Sequence, residues 1–294
     1  MPEHVLGRPA SGWRRAVYAA TRGAVNPGIG PVEQRRQELA QRIRRRLSRP
    51  RQIAVVSLKG GVGVTTVTAL LGLTFARHRD DHIVAVDASP DAGTLADRLT
   101  GTSDSTVLNL LDEIDAVGSL SDVARFTTMA GRLHVLASEQ DPALGEELTR
   151  AEYEQVCAVL TRFYDLLIID AGTGIVHAAM EGALSTADSV VIVGSPTVDG
   201  VSRASKTLDW LAARGQEERA QNAVVALCAG RSSDEVDPER LRGYFASRCR
   251  AVLEIPYDPQ LATGGRLDLA TQAPATSDAF LELAALLAEE FADG

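Results

Sequence analysis

The chain is poor in lysine, aromatic residues and cysteine. Of its 30 basic residues only Lys59 and Lys206 are lysine, and the other 28 are arginine. Aromatic residues make up 4% of the chain, and none interleaves with the arginines between Glu33 and Leu47, which weakens a base-stacking role in nucleic-acid binding. Cys157, Cys228 and Cys249 have neither an even count nor metal-ligand spacing, so reduced structural thiols fit better than a disulfide framework or a zinc site. His78, His82, His134 and His177 are isolated and read as surface or packing residues. No apolar run approaches the roughly 18 residues that a membrane span needs, and the opening stretch has no apolar signal core. These absences predict a cytoplasmic protein, with peripheral association to membrane machinery left open. At 294 residues, with 45% hydrophobic content, the chain has room for one large domain, or one domain with an appendage.

The net charge of −9 conceals two different regions. Residues 1–51 hold 12 arginines against Glu3, Glu33 and Glu38, a net of +9, which leaves −18 on the remainder. A basic arm over 1–51 and an acidic domain over 52–294 are therefore expected. In the arm, a helix from Glu33 to Leu47 places Leu39, Ile43 and Leu47 on one stripe with arginines around it. Three uses are open: docking of the stripe on the acidic body, contact of residues 35–51 with DNA or an anionic membrane, or a protein partner.

After residue 51, short β-branched runs alternate with helical segments, the pattern of βαβ units. The predicted strands are Ile53–Ser57, Ile83–Asp87, Leu133–Ala137, Leu166–Asp170, Val190–Val193, Val224–Leu227 and Val252–Ile255. Helices are expected over Val64–His78, Val107–Ile114, Glu152–Phe163, Val176–Leu184, Val201–Ala213, Pro238–Arg248 and Asp278–Phe291, the last capped by Thr276 or Ser277. The predicted fold class is α/β, a doubly wound, mostly parallel sheet of seven to eight strands. Ligands of such sheets bind at the carboxyl ends of the strands.

Three of those ends carry the informative residues. The first strand runs into Leu58-Lys59-Gly60-Gly61-Val62-Gly63-Val64-Thr65-Thr66. Glycines there let successive N–H groups converge on an anion at a helix N-terminus, and Thr65 stands where a P-loop hydroxyl meets Mg²⁺. The position of the usual lysine, directly after the last glycine, is Val64. A tight turn without ligand is the plain alternative. The run Leu166-Leu167-Ile168-Ile169-Asp170 ends in a carboxylate suited to ordering Mg²⁺, and Asp87 closes another strand.

The run Lys59-Gly60-Gly61-Val62-Gly63-Val64-Thr65-Thr66 resembles the deviant Walker loop of the ParA/MinD family of ATPases. That resemblance implies ATP or ADP with Mg²⁺, held by Gly60 to Thr66 and by Thr65 and Asp170. It implies a nucleotide-dependent homodimer in which Lys59 reaches the partner's phosphates, and it gives Lys59 and Asp87 catalytic roles. Ile255–Pro259 resembles the segment that encloses adenine, which brings in Pro256 and Asp258. Two departures stand out: Val64 replaces the in-cis lysine, and Ser89 occupies the place of a carboxylate implicated in positioning water, with Asp91 the one nearby acid. The stretches Gly12-Trp13-Arg14-Arg15 and Gly23-Ala24-Val25-Asn26 are similar to actinobacterial members associated with type VII (ESX) secretion. The expectation is a nucleotide-binding switch or adaptor, a pseudo-ATPase with impaired or absent hydrolysis, serving a secretion-machinery partner. An active ATPase in DNA partitioning or cellular positioning is the alternative, and a scaffold that binds no nucleotide is a third.

Overall fold

The structure is a computed structural model that describes residues 12–22, 24–89, 93–139, 148–173, 178–230 and 237–292. Eight strands form one sheet: β1 (Arg51–Ser57), β2 (Ile83–Asp87), β3 (Thr128–Ala130), β4 (Leu133–Leu136), β5 (Leu166–Thr173), β6 (Ser189–Gly194), β7 (Val224–Cys228) and β8 (Ala251–Ile255). Their order is β3-β4-β2-β5-β1-β6-β7-β8. Every pairing is parallel except the edge hairpin of β3 with β4. The chain thus places β2 to β5 on one side of β1, with β5 slotting in beside β1, and then, from β6, builds outward on the other. The carboxyl end of β1 lies at the crevice where that direction reverses.

Alternation along β1 explains the two cores. Ile53 and Val55 enter one apolar layer, Ala54 and Val56 the other. Strands buried on both faces read as continuous apolar runs, which is why they were legible. The first layer lies under the loop helix (Val64–His78), the short helix Leu95–Leu99 and the last helix (Pro274–Ala288). The opposite layer lies under Arg150–Leu160, Ala178–Thr186 and Val198–Ala213.

Several expectations need correction. The edge strand Thr128–Ala130 was not expected, since three residues carry no periodicity. The last helix starts at Pro274 with Ala273 at its cap, so neither Thr276 nor Ser277 caps it; Thr276 is buried inside the first turn. Proline is suited to a first helical turn, where its missing N–H has no partner to lose. The arm helix spans Pro31–Ile43 and stops before Leu47. The expected start of Val176–Leu184 and the residue Asp91 lie outside the described residues.

The arm helix lies on the same face as the loop helix. Leu39 and Ile43 are buried in the apolar layer, with Leu47 partly buried against it. Its arginines meet the acids of the C-terminal segment: Arg35 pairs with Glu282 at 2.9 Å, Arg36 with Asp278, and Arg42 with Glu289. Arg49 and Arg51 both reach Asp188. The excess positive charge of the arm and the acidic stripe of the last helix are two halves of one contact.

Candidate functional site

A crevice of about 1090 Å³ opens at the carboxyl ends of β1, β5, β6, β7 and β8. Its floor is the turn from β1 into the loop helix. Gly61 (φ 76°) and Gly63 (φ 100°) take the left-handed backbone that side chains disfavour, and Gly63 caps the helix without any side-chain hydrogen bond. The first turn of that helix carries no acidic residue, so its positive end faces the crevice uncompensated. Gly60 to Thr66, the expected cradle, all line the crevice. Val64 is nearly inaccessible, at 5% exposure, and belongs to the apolar layer.

Lys59 hangs at the mouth. Its backbone N–H donates to Ser57 Oγ at 3.1 Å, and its Nζ contacts Asp199 Oδ2 at 3.0 Å, at the start of the helix Val198–Ala213. The Lys59 ammonium and then Arg203 hold the Asp199 carboxyl below its ordinary range. Within one chain, therefore, the lysine is folded back on its own protomer, with Val198 beside it 78% exposed.

Asp87 and Asp170 face each other across paired strands, at matched register positions on β2 and β5. Both are fully buried. Asp87 Oδ1 accepts the Ser89 N–H and Oδ2 the Leu95 N–H, each at 3.1 Å. Its carboxylate thus ties the segment after β2 to the strand end. A side chain on Gly93 would collide with that carboxylate, so the chain needs glycine there. Asp170 Oδ1 accepts the Gly172 N–H at 3.0 Å, while Oδ2 is buried without a hydrogen-bond partner. Burial, followed by the neighbouring Asp87, pushes the Asp170 carboxyl up to about 7, with the Thr65 hydroxyl pulling the other way. Burial pushes Asp87 upward as well. A buried acid with one orphaned oxygen next to a P-loop threonine has the donor chemistry of a Mg²⁺ site.

The other expected residues divide. Pro256 and Asp258 line the crevice, but Asp258 is nearly inaccessible and its carboxylate is taken up by the backbone N–H groups of Gln260 (3.0 Å) and Ala273 (2.9 Å). It shapes the loop after β8. Ser89 lines the crevice close to Gly172. Arg98, which local sequence did not single out, also lines it, because the short helix Leu95–Leu99 turns back over the loop helix. Cys228 lies beside Gly63, and His134 is a packing residue, hydrogen-bonded to Thr127 and Tyr164.

Glycine cradle, helix N-terminus and buried aspartates at the switch of a parallel sheet define a protein of the P-loop class. A family model described as an AAA domain, AAA_31, matches residues 50–219. The ESX-1 secretion-associated protein EspI of Mycobacterium tuberculosis is 36% identical over 284 residues, covering 95% of this chain and 42% of EspI. The chain thus spans less than half the length of that relative. The septum site-determining protein MinD of Thermotoga maritima is 27% identical over 173 residues, covering 59% of this chain and 62% of that protein. Among solved structures, a ParA family ATPase from Chlorobium tepidum matches with a TM-score of 0.68 at 20% identity, covering 80% of this chain and 98% of its own. MinD from Pyrococcus horikoshii, complexed with Mg-ADP, matches with a TM-score of 0.64 at 24% identity, covering 80% and 94%. The chain belongs to the AAA_31 family, as a ParA/MinD-like P-loop ATPase related to the ESX secretion-associated EspI.

Proposed function

We propose that the chain is a nucleotide-dependent switch that binds Mg-ATP and Mg-ADP, hydrolyses ATP slowly or not at all, and works as an adaptor for type VII secretion machinery. The observation that carries this reading is the crevice itself: a left-handed glycine turn above the orphaned oxygen of Asp170, with no lysine at position 64. The N–H groups of Gly60 to Gly63 would receive phosphate, and Thr65 with Asp170 would hold Mg²⁺. Bound there, Mg²⁺ supplies charge neutralisation of the phosphates. A cation beside Asp170 favours its ionised form, against the burial that otherwise keeps it protonated near neutral pH.

Hydrolysis needs charge on the terminal phosphoryl group and an oriented water. Val64 brings no charge, and Ser89 no carboxylate. Both Asp87 oxygens already accept backbone N–H groups, so Asp87 serves as the anchor of the switch segment. A charge-assisted hydrogen bond contributes roughly 1.5–3 kcal/mol, so lacking the in-cis lysine weakens nucleotide binding by about one to two powers of ten. That leaves a micromolar site fillable at cellular ATP.

Nucleotide-dependent pairing of two chains would release Lys59 from Asp199 and turn it toward the partner's phosphates. The relatedness to EspI supports a secretion-machinery partner. The arm is better read as a docked helix than as a DNA or membrane contact, since five of the arginines in residues 35–51 already pair with the chain's own acids. Calorimetry with Mg-ATP, followed by a phosphate-release assay, tests the proposal. Binding without turnover is expected; brisk turnover would favour a working ATPase, and no binding would favour a scaffold.

A further inference from the structure

Among the described residues two cationic side chains line the crevice, and they differ in how their charge is met. Lys59 pairs with Asp199, whereas Arg98 makes no ion pair among the described residues. Arg98 Nη2 donates to Thr66 Oγ1 at 3.2 Å and to the Leu261 carbonyl at 3.3 Å. These acceptors stand on opposite walls, one on the first turn of the loop helix and one on the segment after β8. The Arg98 Nε is shut off from solvent with no hydrogen-bond partner. Its backbone is fixed too, because the Arg98 carbonyl accepts the Leu267 N–H at 2.7 Å. A half-buried guanidinium with only neutral partners among the described residues has no counter-ion there, and its planar fork of donors suits a phosphate.

The position says which phosphate. Thr65, which lines the crevice, is assigned with Asp170 to Mg²⁺ above and so marks its metal side. Thr66, one residue further along the helix, accepts from Arg98, whose same Nη2 also reaches the Leu261 carbonyl. A phosphate chain cradled at this helix N-terminus with its metal-bound end near Asp170 has its other end on the Arg98 side. We propose that Arg98 is a nucleotide-binding residue that replaces the charge missing at position 64, pairing with the phosphate next to the nucleoside, which ADP and ATP share. This rests on the nucleotide-binding reading above. Arg98 then sustains affinity without favouring the triphosphate, a division of labour that suits a switch that holds both nucleotides and turns over little.

The test is calorimetric titration of the full chain, unmodified and as Arg98→Gln, with Mg-ADP and with Mg-ATP. Arg98→Gln should weaken both nucleotides by the same factor, about ten- to a hundredfold. Thermal melting without nucleotide checks the fold, and Arg98→Met, which retains the aliphatic stem, repeats the titration if glutamine disturbs it. Unchanged affinity for both nucleotides, or a loss confined to ATP, overturns the assignment. An unmodified chain that binds neither nucleotide overturns the parent reading and this one together, whereas binding that the variants leave untouched overturns this one alone.

Discussion

Replacing Val64 by lysine puts the missing charge back, and the structure sets a cost beside the gain. Val64 is 5% exposed and packed in the layer beneath the loop helix. Removing a buried valine forfeits about 1.5–3 kcal/mol of apolar burial, and a lysine stem recovers part of this only if its ammonium can reach the crevice. Without nucleotide, Val64→Lys should therefore lower the unfolding free energy by about 1–3 kcal/mol. With Mg-ATP the ammonium gains a phosphate, worth roughly 1.5–3 kcal/mol, so affinity should tighten by about one to two powers of ten. Saturating Mg-ATP should then restore the stability lost in its absence. Urea denaturation with and without Mg-ATP, alongside calorimetry, reads both quantities. Hydrolysis should rise little until Ser89→Asp is added, and the pair should exceed either single change because both serve one transition state. Unchanged ATP affinity in a folded Val64→Lys protein would refute the argument, since position 64 would then not face the phosphates.

Three further expectations follow from particular contacts. In the native state without Mg²⁺ or nucleotide, Asp170 keeps its proton up to about pH 7, against 3.8 for the free group, so the native state binds more protons across that window. Stability should therefore fall as pH rises from about 4 to 7, by on the order of 4 kcal/mol at most, and Asp170→Asn should flatten that slope in denaturation series; an identical slope in the variant would count against the buried pair. Ile43→Ala should cost about 2–5 kcal/mol in chemical denaturation and Arg35→Ala less than about 1, because the arm is held by its buried stripe and only trimmed by exposed ion pairs; a silent Ile43→Ala would mean that the arm is not docked. Gly93→Ala should displace the segment after β2 from the Asp87 carboxylate and weaken nucleotide binding, seen as a smaller thermal shift with Mg-ADP; a shift equal to that of the unmodified protein would show that this segment does not shape the site.

The glycine loop, the strand that feeds it, Asp87 and Asp170 were all legible in the sequence because each signal is local. A strand buried on both faces must be a continuous apolar run, a left-handed turn needs glycine, and a carboxylate at a strand end is visible as the last letter of that run. The boundaries of the loop helix, Val64–His78, and of β2, Ile83–Asp87, agree with expectation for the same reason. The cap of the last helix was misplaced because threonine and serine are good caps in general, while here Pro274 opens the helix before them.

What only the tertiary structure decided is which distant groups share a charge. The sequence by itself displayed a basic arm and an acidic final helix, yet their pairing spans some 240 residues and depends on both helices lying on one face of the sheet. Likewise it displayed Lys59 as the single lysine of the loop, while the fold put Asp199 within 3.0 Å of it and brought Arg98 over Thr66. Neither contact has a periodicity or a spacing to betray it, since each depends on where a loop returns to the sheet. Local geometry writes itself into residue type; the balance of charge in a crevice is settled only when the walls come together.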